Sequence, residues 1–230
     1  MEKIKKNLGF GFMRLPMQGE EIDLAQTRQM VDAFLAAGFN YFDTAHGYLE
    51  GKSELALKEC LTSRYPRDRY TLTNKLTNFY FKKEEDIRPL FESQLAACGV
   101  EYFDYYLMHA QSAEIFKHFK SCRAYETAFA LKEEGKVRHV GISFHDRAEV
   151  LEQILTEYPQ IEGVQIGVMI REVEDGLGKI SLRTEAPFDA AKICGLLGGG
   201  GHAAAAGASV PGGIEGAKTA ILQALRDSGV

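Results

Sequence analysis

The chain has 230 residues, 45% apolar and 26% charged, the composition of an ordered globular protein with room for one large core or two smaller ones. Its formal net charge of −5 excludes a global basic footprint for nucleic acid or anionic membrane and leaves only local basic sites open. Cys60, Cys98, Cys122 and Cys194 are widely spaced with no C-x-x-C, which argues against a zinc ribbon, an iron–sulfur cluster or a disulfide framework and suits buried thiols in a reducing cytoplasm.

The start, MEKIKKNLGFGF, has no apolar run of signal-peptide length, and no later stretch reaches membrane-spanning length, so a cytoplasmic protein is expected. Short apolar runs then alternate with helical patterns, the signature of parallel βαβ units. Strands are expected at Leu8–Phe12, Tyr41–Thr44, Tyr70–Asn74, Phe103–Met108, His139–Ser143 and Gly163–Ile166. Asp23 can cap a helix whose Met30, Val31, Phe34 and Leu35 share one face before Gly38 ends it. Asp146 can cap another, carrying Val150, Leu151, Ile154 and Leu155 and stopped by Pro159. Six such units fit a doubly wound sheet or most of a (β/α)8 barrel, and periodicity alone does not separate the two.

After Ile166 the texture changes. Gly167–Arg171 and Lys179–Arg183 flank the turn-like EDGLG and read as an antiparallel hairpin. An Ala-rich helix at about Phe188–Leu197, the run GGGGHAAAAG (198–207) and a closing helix near Ile214–Asp227 follow. The boundary is placed at about 166/167, with no Pro- or Ser-rich linker across it.

Four strings in the first part, FNYFDTAHGY, LTNKL, YYLMHA and VRHVGISFH, resemble the successive active-site strands of aldo-keto reductases. Taken singly, Asp43 is a turn residue, Lys75 a solvated strand end, Tyr48 a loop aromatic and His109 a core histidine. Their order and spacing as a set reverse that weighting. The resemblance covers residues 1–166 and implies an incomplete (β/α)8 TIM-type barrel of six parallel β units within the α/β class. It also implies NADP(H) as cofactor, a small carbonyl substrate and catalysis by Asp43, Tyr48, Lys75 and His109.

In that chemistry a reduced carbonyl needs a proton, and Tyr48 is the expected donor. Lys75 would lower its pKa, Asp43 would keep Lys75 charged, and a neutral His109 would bond the substrate oxygen. Ser143 and Gln165 fall where the family holds the nicotinamide carboxamide. Phe144 departs from the asparagine common there, and GISFHD resembles a bacterial branch that often carries an iron–sulfur domain, whose cysteines are lacking here. No metal is expected, because His46, His118, His139 and His145 lack ligand spacing.

A complete barrel needs about 250 residues, and the last two β units, which hold the cofactor phosphates in the family, have no match. Open strand edges of such a fragment call for cover, for which a homo-oligomer is one solution.

The segment after the join, with SLRT (181–184) and GGGGH (198–202), resembles the C-terminal substrate-binding domain of DHH-family phosphoesterases, a small α+β domain spanning 167–230. Glycines let a backbone approach an anion, so Arg183, Gly199, Gly200, Gly201 and His202 would take a phosphate or nucleotide. The glycine run lacks the Lys-Ser/Thr ending of a P-loop, and the metal-binding half that hydrolyses phosphate esters has no counterpart. The two families' strands meet without a spacer, as after recombination within a strand. A natural fusion, an engineered chimera and a mis-joined gene each produce such a sequence. Three readings follow: carbonyl reduction, phosphate or nucleotide binding, and a chimera in which neither site is complete.

Overall fold

The alternation of strand and helix patterns resolves into two compact units, Met1–Glu162 and Gly163–Val230. The computed structural model describes residues 4–6, 8–162, 166–173, 176–184 and 188–228, with Ala148, 166–173 and Arg183 described by their backbone alone.

In the first unit, β1 (Gly9–Gly11) leads through a two-stranded hairpin, β2 (Met17–Gln18) and β3 (Glu21–Ile22), to α1 (Leu24–Ala36). The Asp23 carboxylate accepts from Gln26 N–H at 2.9 Å and starts that helix, and Gly38, at φ +84°, follows its end. Its buried stripe is Thr27, Val31 and Leu35, at i, i+4 and i+8, so Met30 lies outside it and is exposed. Next come β4 (Tyr41–Asp43), α2 (Lys52–Leu57), β5 (Thr71–Leu76), α3 (Glu84–Cys98), β6 (Phe103–Gln111), α4 (Ala113–Ser121), α5 (Ala124–Glu133), β7 (Val137–Phe144) and α6 (Ala148–Glu157). Asp146 does not cap α6 as expected. Arg147 holds that position, and the Asp146 carboxylate accepts instead from Ala113 N–H, at the start of α4, and from Arg147 N–H.

The parallel sheet has the order β1-β4-β5-β6-β7. Neighbours in space are successive β/α strands of the chain, so the order never reverses, which excludes the doubly wound alternative and leaves a barrel arc. Five parallel strands are described. Of the sixth expected strand, Gly163–Gln165 lie outside the described residues, and Ile166 opens a strand of the other sheet, opposite Thr184. Strand alternation sends Phe42, Leu72, Tyr106 and Val140 into one core with Val31, Phe91, Tyr125 and Ile154 from the helices. At the N-terminal end of the sheet, Asp104 is fully buried, accepts from Leu72 N–H at 2.7 Å and pairs with Arg67 and Arg138. Those two guanidinium groups lie 4.0 and 4.2 Å from the Tyr102 ring centroid.

The second unit is α+β: β8 (Ile166–Val173), β9 (Leu177–Thr184), α7 (Ala190–Gly195), β10 (Gly200–His202), β11 (Ala205–Pro211) and α8 (Gly213–Asp227). Its sheet is antiparallel in the order β10-β11-β9-β8, and the expected hairpin is β8–β9. Ile180, Leu182, Ala206, Ala208, Ile193, Ala217 and Ile221 form its core. Small residues bring α8 onto the sheet: a Cβ at Gly178 would stand 2.2 Å from the Gly213 carbonyl oxygen. No helix among the described residues is long and apolar enough to cross a membrane.

Phe91 packs edge-on against Phe103 and Tyr106, at 5.7 and 5.1 Å between centroids. Phe91→Ala is expected to destabilise the first unit by about 3–5 kcal/mol. Denaturant unfolding followed by tyrosine fluorescence checks this, and a loss below about 1 kcal/mol would show that the core re-forms around the vacancy.

Candidate active site

The C-terminal end of the parallel sheet is where its ladder fails. Pairing of β4 with β5 stops at Asp43 and Thr73, while β5 runs on to Leu76. Pairing of β6 with β7 shifts register between Met108 and Gln111, a bulge in which Ala110 takes a left-handed φ of 52°. Asp43, Lys75 and His109 sit at these interruptions. Tyr48 begins a turn whose next three residues, Leu49, Glu50 and Gly51, are left-handed at φ 52°, 58° and 84°. Each such non-glycine residue costs about 1–2 kcal/mol, so this backbone is held by its surroundings.

The four expected residues come together. Lys75 Nζ donates to Asp43 Oδ1 at 2.6 Å and to the Thr44 carbonyl oxygen at 2.8 Å, and lies 5.0 Å from the Tyr48 ring centroid. The Tyr48 and His109 rings meet edge to face at 5.8 Å. Lys75 is 5% exposed, deep enough that solvent screens its charge little.

Buried side chains hold the backbone where the ladder does not. Lys75 N–H donates to Asn74 Oδ1 at 2.8 Å, and Lys75 C=O accepts from Gln94 Nε2 at 3.0 Å. The Glu54 carboxylate, 1% exposed, accepts from Asn74 Nδ2 at 2.7 Å, and Tyr106 donates its hydroxyl proton to Gln94 Oε1 at 2.6 Å. An acceptor on one side and a donor on the other thus orient both amides. At the bulge, Gln111 Nε2 donates to His109 C=O at 3.2 Å and Tyr125 donates to Gln111 Oε1 at 2.8 Å.

None of Glu54, Asn74, Gln94 and Gln111 was singled out in the sequence. A signal existed for two of them: Gln94 interrupts the apolar stripe Ile87, Phe91, Leu95, Cys98 of α3, and Glu54 lies three residues before Leu57 on the buried face of α2. His46, expected to be structural or surface, bonds the other Glu54 oxygen at 2.8 Å, and this carboxylate raises its pKa.

Desolvation governs the electrostatics. Burial, aided by the Lys75 charge and His145, lowers His109 to about 4, so its imidazole is neutral at neutral pH, as expected. One expectation fails. Tyr48 is raised above the ordinary tyrosine value, first by burial and then by Asp43, against the expected lowering by Lys75. Lys75 is lowered by its burial, with Asp43 acting in the expected, opposite direction, and Asp43 is raised by its own burial against the pull of Lys75.

Ser143 lies one residue before the end of β7, half-buried, and its hydroxyl has no hydrogen-bond partner among the described residues. It shares a sheet face with Gly141, which is in register with Leu107. Gln165 lies outside the described residues. In the second unit, Arg183 is described by backbone alone, in register with Ala205. Gly200 has open space beside its Cα, and His202 is exposed. Gly199 and Gly201 answer to packing: a Cβ would stand 2.1 Å from the Gly207 carbonyl oxygen at Gly199 and 2.5 Å from that of Ala205 at Gly201. Among the described residues no group of three or more acidic, histidine or cysteine side chains could hold a metal ion.

The family model for the aldo/keto reductase family matches residues 7–175, and that for the DHHA1 domain matches residues 127–228. The two overlap, and the division between the compact units falls inside the overlap. An aldo-keto reductase of Mycobacterium sp. (strain JLS) is 27% identical over 164 residues, 70% of this chain and 57% of the relative. Among solved structures, the holo form of an aldo-keto reductase from Bacillus halodurans is 29% identical with a TM-score of 0.53, covering 65% of this chain and 49% of that one. An aldo/keto reductase from Klebsiella pneumoniae in complex with NADP and acetate is 25% identical with a TM-score of 0.50, covering 63% and 47%. The chain spans about half the length of the curated relatives it matches.

Two outcomes are expected. An NMR titration should place the His109 midpoint at about pH 4. Its folded value lies below the ordinary one, so the unfolded chain binds the proton first, and this contribution to stability is lost as pH falls from about 6.5 to 4. A midpoint near 6.5 would mean the ring is solvated. Ala110→Gly should raise unfolding free energy by about 0.5–1 kcal/mol by relieving the left-handed alanine; unchanged stability in urea would show the bulge to be unstrained.

Proposed function

Because the chain belongs to the aldo/keto reductase family, we propose that its first unit reduces a small carbonyl compound to an alcohol with a reduced nicotinamide cofactor. The observation that carries this reading is the convergence of Tyr48, Lys75, Asp43 and His109 at one end of the sheet. When bound, the reduced nicotinamide supplies the hydride that the carbonyl carbon receives. Ser143 fits the carboxamide end of that cofactor, as a half-buried hydroxyl free to bond an amide. NADP bound to the Klebsiella relative supports the same cofactor class. The residues that would hold the cofactor phosphates are not identified among the described residues.

Tyr48 Oη gives its proton to the carbonyl oxygen, and solvent restores it afterwards. Burial keeps Tyr48 protonated in the resting site, so the donor is always loaded. Asp43 and Thr44 fix the Lys75 ammonium beside the donor, 5.0 Å from the Tyr48 ring centroid. Neutral His109 can bond the carbonyl oxygen without competing for the tyrosine's proton.

A second reading concerns residues 167–230, supported by the DHHA1 match and by exposed His202 beside the open Gly200: a phosphate or nucleotide ligand. Equal binding of mononucleotides to wild type and His202→Ala would remove it.

For the reductase, quenching of NADPH fluorescence and turnover of simple aldehydes are the direct tests. Tyr48→Phe should lower kcat/KM by about 100-fold or more with the cofactor Kd unchanged. Full activity in that variant, or a cooperatively folded wild type that binds no NADPH, would overturn the proposal.

A further inference from the structure

Thr77 follows β5 directly, two residues beyond Lys75, and is 9% exposed. Its hydroxyl lies 2.7 Å from His109 Nδ1, the shortest polar contact that the imidazole makes. Its own carbonyl oxygen accepts from Tyr80 N–H, which closes the turn Asn78–Tyr80 and fixes the threonine against the sheet.

A neutral imidazole carries one proton on one of two nitrogens, and the partner of Nδ1 decides which. If Nδ1 held the proton and gave it to Thr77, the threonine's own hydroxyl proton would need a second acceptor. Among the described residues Thr77 Oγ has no other partner. A buried hydroxyl proton left unpaired is a larger loss than a reversed hydrogen bond, so the threonine donates and Nδ1 accepts. The ring proton then resides on Nε2.

We propose that Thr77 is a positioning residue: by donating its hydroxyl proton to His109 Nδ1 it fixes the Nε2–H tautomer, which presents a hydrogen-bond donor to the substrate's carbonyl oxygen. Only that last role rests on the reductase reading. The tautomer is a property of the chain alone. With Thr77 fixed by its turn and His109 by the bulge and Gln111, two separate segments meet in one hydrogen bond.

The test is carried out on the full chain labelled with 15N-histidine, recording long-range proton–nitrogen spectra at neutral pH, with His109→Gln used to assign the His109 signals. Wild type and Thr77→Ser should both show a pyridine-like Nδ1 and a protonated Nε2. Thr77→Val, nearly isosteric but without the hydroxyl, should show a mixture of tautomers. In kinetics, Thr77→Val should lower kcat for an aldehyde about three- to tenfold with the NADPH Kd unchanged, and Thr77→Ser should restore it. A wild-type Nδ1–H tautomer, or an unaltered Nε2–H tautomer in Thr77→Val, would overturn the proposal. If Thr77→Val does not fold, the wild-type and Thr77→Ser spectra still decide the direction of the hydrogen bond. If no variant reduces any carbonyl but the tautomer responds as described, the reductase reading fails and the assignment to Thr77 stands.

Discussion

A peptide group at the end of a strand must find a partner when its neighbouring strand has stopped, and this constraint organises the first unit. β4 ends before β5 does, and β6 breaks step with β7. The peptide groups of Lys75 and His109 at those faults are tied by Asn74, Gln94 and Gln111. Each amide is held in turn by Glu54, Tyr106 or Tyr125. The Lys75 and His109 side chains are therefore mounted on backbone whose partners are buried and directional, which holds their geometry against thermal motion.

Water exclusion is the price of that mounting, and it explains the signs of the electrostatic shifts. Lys75 and Asp43 form a close pair, yet burial shifts both toward their neutral forms. The same burial leaves Tyr48 protonated and His109 uncharged. The opposite end of the sheet handles burial differently, with Asp104 shared between two guanidinium groups stacked on one tyrosine. No residue of the proposed mechanism lies there, consistent with a division in which one end of a barrel-type sheet carries stability and the other chemistry.

Much of this was legible in the sequence, for identifiable reasons. The strand positions followed from short apolar runs, and the tetrad from four ordered strings whose residues converge as expected. The bulge at Ala110 was not legible, since a one-residue shift in pairing leaves no mark in composition. Glu54 and Gln94 look like ordinary polar residues until the helix stripe is drawn through them. The acidity of Tyr48 was misread because sequence shows neither how deeply its hydroxyl is buried nor how near Asp43 lies to it. Asp146 was misassigned because a carboxylate before a helix can also reach a different helix, here α4.

The glycine run at 198–201 joins residues with different histories of constraint. Gly198 is set by a left-handed turn, and Gly199 and Gly201 by a neighbouring backbone that admits no side chain. Gly200 alone faces open space with an unexceptional backbone. Invariance at three of these positions among relatives would record only the survival of the fold. Selection for a ligand, if it acts on this run, is readable at Gly200, where a mutation leaves the sheet intact and any purifying pressure must come from outside the chain.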